Sequence, residues 1–166
     1  MKFKILIVGL LAESLFAQPT IRLDIQNNIG SLKGQSIVKV VVNDIVDLDT
    51  YSFDVSYDTA KCTLKFADIS APMIGVDNCL QDGARTVLPI VKKEAGVVHV
   101  SATVAGDEPT GTVVKGCALA VILLAPRTKS GAVTAALCKV TLLDNKRNRI
   151  PCTIVGMDDF DKGTHQ

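Results

Sequence analysis

Covalent catalysis by a side chain needs a Ser, Thr or Cys nucleophile held beside an activating base, most often His. The 166-residue chain has two His, His99 and His165. His99 lies in VVHVSATV, where alternation turns it outward with Ser101 and Thr103. His165 is the penultimate residue, and no serine sits in a Gly-x-Ser-x-Gly turn. The five cysteines are Cys62, Cys79, Cys117, Cys138 and Cys152, and none forms the C-x-x-C pair that zinc sites use. Asp47 and Asp49, and Asp158 and Asp159, stand in loop-like stretches and read as solvated turns rather than calcium ligands. The chain is therefore expected to be no enzyme and to need no metal or cofactor. The chemistry that remains is recognition by a surface.

The stretch DTYSFDVSYD, residues 49–58, supplies a candidate surface. Tyr51, Phe53, Val55 and Tyr57 alternate with Ser52, Asp54, Ser56 and Asp58, the period of a strand with one buried face. The aromatic side is expected in the core, leaving Ser52, Asp54 and Ser56 exposed. A second strand adds His99, Ser101 and Thr103. A third, CALAVILLA (117–125), is apolar on both sides: Leu119, Val121 and Leu123 face one way, and Ala120, Ile122 and Leu124 the other. Either loops cover both faces, or the even residues meet a partner. The expected partner-binding set is Ser52, Asp54, His99, Ser101, Thr103, Ile122 and Leu124, an apolar strip flanked by polar groups.

Charge is balanced, with 18 Lys and Arg against 17 Asp and Glu, and no basic stripe suggests nucleic acid. Direct sugar binding commonly uses exposed aromatic rings. The chain has no Trp, and Tyr51, Tyr57, Phe53 and Phe66 are expected in the core, so polysaccharide is the alternative ligand rather than the leading one.

These residues must be positioned by strands. Alternating or apolar runs occupy residues 20–26, 36–43, 49–58, 61–69, 86–93, 96–106, 117–125, 132–143 and 148–155. Pro89 marks the fifth as an edge strand, because proline cannot donate to a central ladder. Short strands at regular spacing, without an amphipathic helix, predict an all-β, nine-stranded antiparallel β-sandwich, jelly-roll-like, in one domain over 18–156. Residues 1–17 read as a signal peptide: Lys2 and Lys4, then the apolar run ILIVGLLA, then Ala17 before the cut. That run is too short for a transmembrane segment. Export to an extracellular or periplasmic location is expected, and permits disulfides. Residues 157–166 read as a polar tail.

The cysteines make at least one disulfide plausible, with an odd thiol left over. The last two strands are expected to pair through DNKRN. With Leu143 opposite Arg149, Cys138 faces Ile154 and Cys152 faces Val140, a diagonal arrangement. A Cys138–Cys152 bond would need a two-residue shift.

In order along the chain, VKVVVNDI, YSFDVSYDTAKCTLKF, VVHVSATVAGDEPTG with VVKGCALAVILLA, and GAVTAALCKVTLLDNKRNRIP resemble the cohesin domain family. The resemblance covers nearly all of residues 18–156 and implies a cohesin-like sandwich within the wider group that includes cellulose-binding modules. It implies a non-catalytic protein-binding module whose partner is a dockerin-like module on polysaccharide-degrading enzymes. Where many cohesins present Asn and Asp near the start of the third strand, this chain has Thr50 and Ser52. The resemblance also implies that the strand at 117–125 joins the sheet of the third and sixth strands.

Overall fold

The computed structural model describes residues 18–78, 80–81, 85–106, 116–129 and 131–156. The expected signal peptide, the expected polar tail, Cys79 and residues 107–115 lie outside the described residues. Among the described residues, nine strands form: β1 (Thr20–Ile29), β2 (Gln35–Asn43), β3 (Leu48–Tyr57), β4 (Cys62–Asp68), β5 (Val87–Glu94), β6 (Val97–Val104), β7 (Cys117–Pro126), β8 (Ala135–Asp144) and β9 (Thr153–Val155). They build a five-stranded sheet, β4-β7-β2-β1-β9, and a four-stranded sheet, β5-β6-β3-β8. Every pairing is antiparallel except β1 with β9. β5 is an edge strand, as Pro89 predicts.

The core follows from alternation. Tyr51, Phe53 and Val55 of β3 are buried with Val98, Val100 and Ala102 of β6, against Val38, Val40 and Val42 of β2. Tyr57, at the strand's end, is half-buried. The Tyr51 and Phe53 rings share a face two residues apart, and stack with centroids 5.8 Å apart. The Tyr51 hydroxyl donates to the Leu119 carbonyl at 2.9 Å, tying one sheet to the other. Asn78, from the connection between β4 and β5, donates through Nδ2 to the Tyr51 oxygen at 2.7 Å and to the same carbonyl at 3.1 Å. Burial pushes the Tyr51 phenol well up. These bonds satisfy polar groups that have left water, which is the condition for burying them.

β7 corrects an expectation. It lies in the five-stranded sheet, not beside β3 and β6. Ile122 and Leu124 are fully buried in the main core, so neither is available to a partner. A bulge opposite Val40 and Val41 places Leu119 and Ala120 in that core together, which breaks the expected odd–even division. Val121 and Leu123 point to the reverse face, where Ala71, Val76 and the partly buried Ile29, Leu32 and Ile74 cover them. The covering segment is the short 3-10 turn Pro72–Ile74, closed by the Ala71–Val76 bridge. β7 is apolar on both sides because this molecule buries both.

The end of the chain corrects another. The bridge Leu143–Arg149 forms in the expected register, and the Ile150 amide donates to Leu142 at 2.8 Å. Pro151 has no amide to continue the ladder. The chain then crosses to the other sheet, and Thr153, Ile154 and Val155 pair in parallel with Thr20, Ile21 and Arg22. Cys138 and Cys152 therefore part company, and both are free, as is Cys62. Cys117 is disulfide-bonded. Among the described residues, no helix is long and apolar enough to cross a membrane.

Candidate functional site

The outer face of the four-stranded sheet gathers the remaining candidates, and strand register sets them in rows. Thr50 pairs with Thr103, Ser52 with Ser101 and Asp54 with His99 across β3 and β6. β5 extends the rows: Leu88 opposes Thr103, Ile90 opposes Ser101 and Lys92 opposes His99. Ser52, Asp54, His99, Ser101 and Thr103 thus share one face, while Ile122 and Leu124 belong to the opposite sheet and the core. Leu88 and Ile90 are 58% and 59% exposed, the large aliphatic groups on this face. A shallow hollow of ≈ 430 Å³ is bordered by Ile90, Lys92 and Glu94 on one side and Ser52, Asp54 and His99 on the other.

Charge is concentrated in one line across the strands. His99 Nδ1 lies 2.6 Å from Asp54 Oδ1, and His99 Nε2 lies 3.4 Å from Glu94 Oε2. On the far side, Lys139 Nζ lies 2.8 Å from Asp54 Oδ2. The line Glu94–His99–Asp54–Lys139 therefore takes one residue from each strand of the sheet. Asp54 is expected to be exposed from the sequence; its side chain retains 10% exposure, because His99 and Lys139 close over both oxygens. Ser52 and Ser56 are half-exposed.

The backbone explains how Lys139 gets there. Between Ser52–Thr141 and Asp54–Cys138, β8 carries one residue more than β3. Lys139 occupies this bulge with φ +52°, the left-handed region that a side chain seldom adopts. The bulge brings the ammonium onto the Asp54 carboxylate. Nothing in the residue pattern of β8 signals it. Leu88, Ile90 and Lys92 were legible, since TVLPIVKK alternates, but a face cannot be extended onto β5 until the pairing of β5 with β6 is known.

The charges reinforce one another. Burial pushes the Asp54 carboxyl up, but hydrogen bonds from Lys139 and His99, with their positive charges, outweigh it and hold the group below the usual carboxylate value. The hydrogen bond to Asp54 raises His99 against the partial desolvation of its ring, and Glu94 adds to the rise. Lys139 is raised mainly by its bond to Asp54.

Beside this line, Thr50 donates to Asp49 Oδ2 at 2.9 Å and lies 3.2 Å from Thr103 Oγ1. Both ring nitrogens of His99 are engaged by carboxylates, so neither is turned toward a hydroxyl or thiol to activate it. Among the described residues, no group of three or more His, Cys, Asp or Glu is placed to hold a metal ion.

No protein-family model matches the chain, and no curated protein matches it in sequence. Solved structures do match. A type II cohesin domain from the cellulosome of Acetivibrio cellulolyticus superposes with a TM-score of 0.62 at 11% identity, over 84% of this chain and 92% of that one. A non-cellulosomal cohesin from the archaeon Archaeoglobus fulgidus gives 0.59 at 12% identity, over 83% and 86%. The cohesin–X–dockerin complex of Acetivibrio cellulolyticus, an interface mutant, gives 0.58 at 17% identity, over 83% and 95%.

Proposed function

Since the chain carries the cohesin fold, we propose that it is an exported, non-catalytic binding module that takes a protein partner on the outer face of β5-β6-β3-β8. One observation carries the reading: Leu88 and Ile90 stand exposed in register with a polar row that ends in an ordered line of charges. The apolar reverse face of the other sheet is already covered by residues 70–76. An aliphatic patch beside fixed polar groups is the composition of a protein-binding surface. The partner class is a dockerin-like module, in the setting of polysaccharide-degrading enzymes. Support comes from neighbours seen in such complexes, including a type I cohesin–dockerin complex from Clostridium thermocellum with a TM-score of 0.56 at 6% identity, over 82% of this chain and 88% of that one. Direct sugar binding is less well supported, because the exposed large apolar groups among the described residues are Val46, Met73, Leu88, Ile90 and Val155, with no ring among them.

The test uses the full chain as bait in a capture from a culture fraction rich in dockerin-bearing enzymes, with insoluble polysaccharide as a second matrix. The double variant Leu88→Asp with Ile90→Asp should fold and lose the captured dockerin protein. Capture undiminished by this variant puts the partner on another surface. Retention on polysaccharide alone favours the sugar reading.

A further inference from the structure

A histidine whose two ring nitrogens both face carboxylates needs both protons. Neutral imidazole has one donor and one acceptor nitrogen. With His99 neutral, the proton remains on Nδ1, where Asp54 is 2.6 Å away, and Nε2 then turns a lone pair toward Glu94 at 3.4 Å. Two acceptors facing one another do not bond. Glu94 is 68% exposed and near the end of an edge strand, so it can leave for water, whereas Asp54 at 10% exposure is held by Lys139 as well. The groups facing His99 are therefore Asp54 from β3, and from β5 both Glu94 and Lys92, the residue that His99 pairs with in register, with Lys139 of β8 reaching it through Asp54. Lys92 opposes protonation and the two carboxylates favour it.

We propose that His99 is a proton switch built into the binding face: doubly protonated, it ties Glu94 of β5 to Asp54 of β3, and on losing one proton it releases Glu94 at the edge of the hollow that Ile90 also borders. This rests on the reading that the face takes a partner. The protonated state presents an ordered row, so a partner has less side-chain freedom to suppress when it docks. The deprotonated state leaves a loose, unpaired carboxylate on the rim of the same hollow, and a contact that covers it is disfavoured. Binding is thus stronger on the acid side of the His99 midpoint.

The proton switch is read without any partner, on the full chain labelled with 15N. The His99 ring resonances should titrate above the ordinary value of 6.5, and Nδ1 should keep its proton in the neutral form. Glu94→Gln should lower the midpoint and leave the tautomer, whereas Asp54→Asn should lower it and free the tautomer. Amide resonances of Ile90, Lys92 and Glu94 should move with the same midpoint, and lose that transition in His99→Gln. A midpoint at or below 6.5, indifference to Glu94→Gln, or β5 amides that ignore the titration overturns the switch. The gating is read by capture at about pH 5.5 and about pH 8.5, which bracket the histidine range. Wild type should retain the partner better at the lower value, and His99→Gln should lose the difference. Equal retention by wild type overturns the gating. Because the titration needs no partner, its failure is distinguishable from loss of the partner reading, which the Leu88 and Ile90 variants decide.

Discussion

Replacing Tyr51 by Phe removes one oxygen from a buried junction and leaves the ring. The hydroxyl donates to Leu119 O at 2.9 Å and accepts from Asn78 Nδ2 at 2.7 Å, with Tyr51 fully buried and Asn78 1% exposed. After the substitution, Leu119 O keeps its bond from Asn78 at 3.1 Å, so that acceptor is not orphaned. One Asn78 proton is. A net hydrogen bond is worth about 0.5–1.5 kcal/mol, and a buried group left unpaired costs about 1–3 kcal/mol, so the loss should be near ~2 kcal/mol. For a domain of this size that lowers Tm by roughly 4–8 °C. Urea unfolding followed by circular dichroism should show a lower midpoint with an unchanged slope, the mark of lost stability rather than an altered denatured state. In a cycle with Asn78→Ala, the two losses should fall short of additivity, because each removes part of the same junction. The wild-type phenol is raised in the folded chain, so its contribution is whole below the ordinary value of 10.0 and is lost as pH rises through the folded value. The Phe variant should lack that alkaline component. A change below about 0.5 kcal/mol, within the range of ordinary surface substitutions, would refute the junction.

Other outcomes follow from burial and charge. Leu124→Ala should cost about 2–5 kcal/mol by calorimetry, and Leu124→Asp should give no folded protein, because the side chain is fully buried. Lys139→Ala should raise the Asp54 carboxyl midpoint in a 13C titration, since the hydrogen bond from Lys139 is the largest influence holding it down. That carboxylate stabilises the fold above its unfolded midpoint and loses its effect as pH falls, so the variant should lose stability near neutrality more than in acid. Under native conditions, Cys138 should alkylate before Cys62, whose thiol is 1% exposed and raised first by burial and then by Asp58. Peptide mapping with mass spectrometry checks the order.

Much of this architecture is local and so legible in residue order. The nine strands show as alternation, Pro89 marks β5 as an edge, and Leu143 and Arg149 meet as the DNKRN turn dictates. Ser52, Asp54, His99, Ser101 and Thr103 come together because period two fixes each strand's outward set. What failed was non-local. An apolar run such as β7 does not state which sheet it joins, and its second face was covered by residues 70–76, whose 3-10 turn carries no periodic signal. Asp54 reads as outward and is outward, but its burial comes from Lys139, a residue placed by a bulge rather than by alternation. β9 switches sheets after Pro151, a decision made by the pairing offered on β1.

That last pairing has a mechanical consequence. Thr20 meets Thr153 and Arg22 meets Val155, with both strands running the same way. A pull that draws Thr20 backward and Val155 forward drives the two strands past each other along their length. Parallel ladder bonds are evenly spaced, so such a load falls on them together rather than one after another as in the peeling of a hairpin. The shortest strand among the described residues would then be the clasp of the fold against traction. Resistance to stretching would depend on how fast this contact shears, a rate, and not on the equilibrium stability of the core.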